Sequence, residues 1–149
     1  MQFEIIEQPF AVELIGLQGK VEAKCFGETG RRLMDAMWKE IRERSIENNG
    51  INHWVYPSPD ELFTGVELVS RPAKTGSLAI RRFELARYAR YLHRGPYDLL
   101  PGVWKQLSEA LAERGERRVG PDMEIYGHWA DDPAELETTI LISVSPAAV

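Results

Sequence analysis

The stretch 91-YLHRGPYDLLPGVWKQL-107 decides how the second half of this chain is read. Its His93, Arg94 and Trp104 could pass for an active site. A general base, however, needs one group to orient it and another to give up a proton, and no nucleophile accompanies His93. The residues fit a corner better. The aromatic run up to Arg94 is strand-like, Gly95 and Pro96 break it, Asp98 can cap a helix, and Pro101 is tolerated in a first turn. Leu100, Val103, Trp104, Leu107 and Leu111 then make one apolar helical stripe, stopped by Gly115. His93 reads as a local hydrogen-bonding residue.

Outward from this corner the pattern is β-rich. "SLAIRRFELARYARYLHR" before it holds one bent strand or two short ones, and "DMEIYGHW" and "ETTILISV" after the helix are two more. The first half has the same order. A strand-rich start with a break at Pro9 leads to "GETGRRLMDAMWKEIRERS", where Leu33, Met34, Met37, Trp38 and Ile41 recur at helical spacing and Thr29 is the expected N-cap. "NHWVYP" and "LFTGVELV" follow as a hairpin. Both post-helix hairpins carry a related string, Pro59-Asp60-Glu61-Leu62 and Pro133-Ala134-Glu135-Leu136, 74 positions apart. The chain therefore reads as one domain over 1–149, an α+β fold of two β-α-β-β units at about 1–72 and 76–146. These units form a mostly antiparallel sheet with two helices on one face. A ligand cleft between the halves is the expected place for a small molecule.

Composition narrows the functions. The 149 residues are 44% hydrophobic and 28% charged, enough for a core without disulfides or metals. A net charge of −5 argues against direct nucleic-acid binding, although Arg81, Arg82, Arg87, Arg90 and Arg94 crowd one segment. No apolar run is long enough for a membrane span or a signal peptide, and the lone Cys25 suits a reducing cytoplasm. His53, His93 and His128 lack metal-ligand spacing, "GETGRR" lacks the lysine and hydroxyl of a phosphate loop, and no nucleophile-elbow motif occurs. No cofactor is expected.

In order along the chain, "MWKEI", "TGVELV", "RYARYLHRGPYDLLPGVWKQL", "GPDMEIYG" and "DPAELETTILISV" resemble the GyrI-like, or effector-binding, domain family. The resemblance covers nearly the whole sequence. It implies a duplicated β-α-β-β fold that binds bulky, often cationic or aromatic small molecules between its repeats, with aromatic walls and buried carboxylates. Some relatives are the drug-sensing part of transcription activators, and others stand alone. At this length no helix-turn-helix is expected, so any DNA contact would need a partner. The family's closing strand carries an acid and a proline where this chain has Thr139 and Ser143, with Glu137 two residues earlier.

The candidate site residues come from strand alternation. Glu124 and Tyr126 share one strand face, with Met123 and Ile125 on the other; Phe63, Gly65 and Glu67 share a face opposite Val66 and Leu68. If the apolar partners enter the helix layer, Glu67 and Glu124 point to cleft or solvent. Trp54 and Tyr56 alternate on one face, and Trp38, Tyr91 and Trp104 complete the expected ligand-binding aromatics. Three functions are expected of such residues. The first is non-enzymatic binding of amphipathic, aromatic or cationic compounds, in transcription regulation or drug response. The second is hydrolysis of strained, cyclopropane-type toxins with Glu67 or Glu124 as base. The third is a protein partner such as gyrase, for which no long acidic block speaks.

Overall fold

The computed structural model describes residues 1–146. In chain order the elements are β1 (Glu4–Ile6), β2 (Phe10–Lys20), α1 (Phe26–Glu43), β3 (Asn52–Ser58), β4 (Glu61–Glu67), β5 (Ala79–Leu85), β6 (Tyr88–Arg94), α2 (Leu100–Glu113), β7 (Arg118–Tyr126) and β8 (Glu137–Val144). The strands form one sheet ordered β1-β6-β8-β7-β3-β4-β2-β5, with every neighbouring pair antiparallel. Two β-α-β-β units, β2-α1-β3-β4 and β6-α2-β7-β8, meet at a seam where β3 pairs with β7.

The short leading strands are exchanged. β1 precedes the first unit yet pairs with β6 of the second, and β5 precedes the second unit yet pairs with β2 of the first. Arg87 fastens one exchange point. Its guanidinium donates to Glu7 just beyond β1 at 3.0 Å, to Glu116 just beyond α2 at 2.6 Å, and to the Ser145 carbonyl at 3.0 Å. The chain between the units is tied to α1, where Glu40 accepts from the Ser77 backbone N–H at 2.9 Å and from the Ser77 hydroxyl. These bonds hold the Glu40 carboxyl below its ordinary value.

Both helices begin differently from the sequence expectation. α1 starts at Phe26, three residues before Thr29, which is buried in the first turn; the N-cap position is Cys25, and its side chain makes no capping bond. Phe26 packs against Val21, Trp54 and Leu62, which draws the first turn into the fold. Asp98 does not cap α2, because residues Tyr97–Leu99 form a 3-10 turn that leads into the helix from Pro96. Pro101 does lie in the first turn of α2.

Residues opposite one another in paired strands share a face, which fixes what the helices cover. One row crosses the sheet as Tyr91, Ile140, Glu124, Trp54, Thr64 and Leu17. On this face α1 lays Met37 and Ile41 on Ile15 and Val66, while α2 lays Leu107 and Leu111 on Ile140 and Ile142. The other face is not bare. The sheet curls until β5 lies against β7, and Val12, Leu14, Val55, Phe63, Phe83, Leu85, Tyr88, Met123 and Leu141 close on themselves as a second core. Met123 therefore points away from the helices and Glu124 toward them, the reverse of the premise from alternation. A strand with apolar residues on both faces gives no sign of which one meets the helix layer. Among the described residues no helix is long and apolar enough to cross a membrane.

Because each unit borrows its outermost strand from the other, urea should unfold the molecule in a single transition. Leu107→Ala, at a position 1% exposed, should lower the unfolding free energy by about 2–5 kcal/mol. A biphasic curve would show that the halves melt separately.

Candidate functional site

α1 and α2 leave the seam between them uncovered, and a cavity of about 1190 Å³ lies there. Its floor is β3 and β7, contributing Asn52, Trp54, Tyr56, Asp122, Glu124 and Tyr126. Phe26, Arg31 and Met34 of α1 line one side, and Tyr97, Leu100 and Trp104, in and just before α2, line the other. Trp129, beyond the end of β7, stands 73% exposed at the rim.

Glu124 is the centre of the floor. It is 3% exposed, and its carboxylate accepts three bonds from neutral donors. Tyr56 Oη donates at 2.6 Å and Tyr126 Oη at 2.9 Å to one oxygen, and Trp104 Nε1 donates at 2.8 Å to the other. Among the described residues no basic side chain forms an ion pair with it. The second acid of the floor differs. Asp122 accepts from Arg118 Nη2 at 2.6 Å and from the Ser143 backbone N–H at 3.0 Å, so its charge is matched. Burial still pushes the Asp122 carboxyl up, against the pull of Arg118.

The walls are aromatic and edge-to-face. Ring centroids lie 5.7 Å apart for Phe26–Tyr56, 5.8 Å for Tyr56–Trp104, 5.4 Å for Trp54–Tyr126 and 5.3 Å for Tyr97–Tyr126. Glycine at position 30 makes this possible on the α1 side. A Cβ on Gly30 would sit 2.3 Å from the Trp54 ring, so the indole lies directly against helix backbone. Burial first, and then the Glu124 charge, pushes the Tyr56 and Tyr126 phenols well above their ordinary value. Both stay protonated, which keeps them donors to Glu124.

Of the residues singled out from sequence, Trp54, Tyr56, Trp104, Glu124 and Tyr126 meet in this cavity. Three lie elsewhere, and these are corrections. Glu67 is exposed on the opposite face with Leu14 beside it, 3.4 Å from Asn49 Nδ2. Trp38 packs with the α1 core and donates to Asn52, and Tyr91 is at the α2 end of the row, against β8. Thr139 also faces away, and Glu137 pairs with Arg94 at 2.8 Å, so neither supplies an acid to the cavity. His93 Nε2 donates to the Pro96 carbonyl at 3.1 Å, a bond that braces the corner. Sequence reading missed Phe26, Arg31, Asn52, Tyr97 and Asp122. Asn52 could have been found by laying one half over the other. Among the described residues no cluster of three metal-ligating side chains occurs.

Two outcomes test this geometry. Gly30→Ala gains up to about 1 kcal/mol of helix propensity but must displace the Trp54 ring, which costs about 1–3 kcal/mol. Urea midpoints should therefore fall. The folded state keeps the Tyr56 and Tyr126 protons where an unfolded chain releases them, so their contribution is whole below pH 10 and is lost as pH climbs above it. Absorbance at the tyrosinate band should show late ionisation that coincides with alkaline unfolding, and Tyr56→Phe should reduce that late amplitude.

A family model described as the GyrI-like small molecule binding domain matches residues 1–145. No curated protein matches in sequence. Solved structures match in fold. EcmrR in its DNA complex superposes with a TM-score of 0.74 at 14% identity; 97% of this chain is covered, and it spans 58% of the EcmrR chain. The EcmrR C-terminal domain gives 0.72 at 16% identity, over 99% of this chain and 100% of that one. SAV2435 bound to tetraphenylphosphonium gives 0.61 at 13% identity, over 97% and 94%. On the match of 1–145, with the duplicated sheet and its seam cavity in place, this chain belongs to the GyrI-like small molecule binding domain family.

Proposed function

We propose that the seam cavity binds bulky aromatic cations, and that the domain senses or sequesters them in transcription regulation or drug response. One observation carries this reading. Glu124 is buried with three neutral donors and no cationic partner among the described residues. A buried carboxylate without a counter-charge is costly, and a cation entering the cavity relieves that cost. The rings around it add attraction, roughly 0.5–2 kcal/mol for a cation over an aromatic face. The cavity is wide enough for a multi-ring body, and its apolar walls suit one. The fold likeness to SAV2435 bound to tetraphenylphosphonium supports the ligand class, and the likeness to EcmrR in a DNA complex supports the regulatory setting.

Tetraphenylphosphonium is the direct probe. It should quench tryptophan fluorescence saturably, since Trp54, Trp104 and Trp129 line the cavity, and raise the melting temperature. Glu124→Gln should weaken it at least tenfold while leaving the weaker binding of neutral triphenylphosphine oxide unchanged. Circular dichroism establishes that the variant is folded. If the cation gives no saturable signal, or the Gln variant binds it equally well, the reading is wrong. Recovery of the ligand at unchanged mass after long incubation separates binding from hydrolysis.

A further inference from the structure

The two halves carry the same tryptophan-to-strand bond with different acceptors. α1 presents Met34, Met37, Trp38 and Ile41 at the spacing at which α2 presents Leu100, Val103, Trp104 and Leu107. Trp104 Nε1 donates to Glu124 at 2.8 Å, and Trp38 Nε1 donates to Asn52 Oδ1 at 2.9 Å. The register makes these two acceptors equivalent. Val66 and Ile140 are the matching positions of β4 and β8; Val66 faces Asn52 and Ile140 faces Glu124. The duplicated fold therefore holds two related polar positions along one cavity, an amide and a carboxylate.

The orientation of the Asn52 amide follows from its partner. A tryptophan N–H only donates, so the atom facing Trp38 must be the oxygen. Nδ2 is then the open side of the group. Among the described residues nothing accepts from it, and half-buried Asn52 lines the cavity. Trp54 pairs with Glu124 and Asn52 lies two residues before Trp54, so Asn52 and Glu124 are diagonal neighbours across the seam. Such neighbours lie about 7–8 Å apart.

We infer that Asn52 is a second ligand subsite, a donor that receives a neutral hydrogen-bond acceptor such as a carbonyl on a ligand whose cationic centre is held at Glu124. This rests on the proposed function. The position selects among cations. An amide gives a second positive charge nothing to pair with, so the cavity favours monocations with a carbonyl about 7–8 Å from the charge over dications of that span.

Three phosphonium salts with one skeleton test it: tetraphenylphosphonium, (4-acetylphenyl)triphenylphosphonium, and the para-trimethylammonio dication, each titrated by tryptophan fluorescence. The acetyl compound should bind the native protein about fivefold more tightly than tetraphenylphosphonium, the increment of one neutral hydrogen bond. Asn52→Leu should erase that increment, read as the ratio of acetyl-compound to tetraphenylphosphonium affinity within the same folded variant. Asn52→Asp, which still accepts from Trp38, should shift preference to the dication. An acetyl compound no better than the parent, or an increment that survives Asn52→Leu, would mean that the amide is merely hydrated and would overturn the subsite. Tetraphenylphosphonium binding that depends on Glu124 would still stand in that case. If none of the three binds, subsite and proposed function fall together.

Discussion

The pairing of β3 with β7 is the constraint on which the rest of the molecule depends. It joins two units that would otherwise each have an unpaired inner edge, and its register puts Trp54 directly opposite Glu124. A slip of one residue would turn every side chain of one strand to the other face. Glu124 would then enter the curled apolar core with Met123's present neighbours, where no donor awaits it. The donors present in the cavity act against that slip as well as for the site. Tyr56, Trp104 and Tyr126 come from three different elements and converge on one carboxylate.

Duplication supplies the cavity, and divergence supplies its polarity. Two helices over a continuous sheet meet the strands of their own halves well, and leave the seam with neither. In a strictly symmetric molecule both positions under the tryptophans would have the same acceptor. Two carboxylates at that separation would repel one another, while two amides would leave the cavity without charge. One of each gives a floor with a single negative centre. Asp122 does not alter this balance, because Arg118 neutralises it at 2.6 Å.

Much of the architecture is legible in the amino-acid sequence. The helical stripes, the hairpins and the 74-residue echo each rest on local chemistry, so they survive the folding of the rest. Trp54, Tyr56 and Glu124 were legible as a strand-face set because alternation is also local. The failures at the site need information from distant parts of the chain. Glu67 sits between apolar residues as Glu124 does, but Val66 turns into the α1 core whereas Met123 turns into the curled core, so the two acids point to opposite faces of the sheet. Trp38 and Trp104 look alike in sequence, yet Trp38 packs with the α1 core while Trp104 lines the cavity beside Glu124. Thr29 and Asp98 are good capping residues that went unused, because Phe26 and Tyr97 extend structured chain ahead of them.

The exchange of β1 and β5 sets an order of events on the ribosome. Glu4–Ile6 is made first, yet its partner Tyr88–Arg94 follows more than eighty residues later. At about 5–20 residues per second that is a wait of roughly 4–17 s, during which the nascent first half has neither β5 on its edge nor β7 at its seam. An exposed strand edge in that interval is open to pairing with other chains. The opening segment keeps the liability small, since it is three residues long and followed by Glu7 and Pro9.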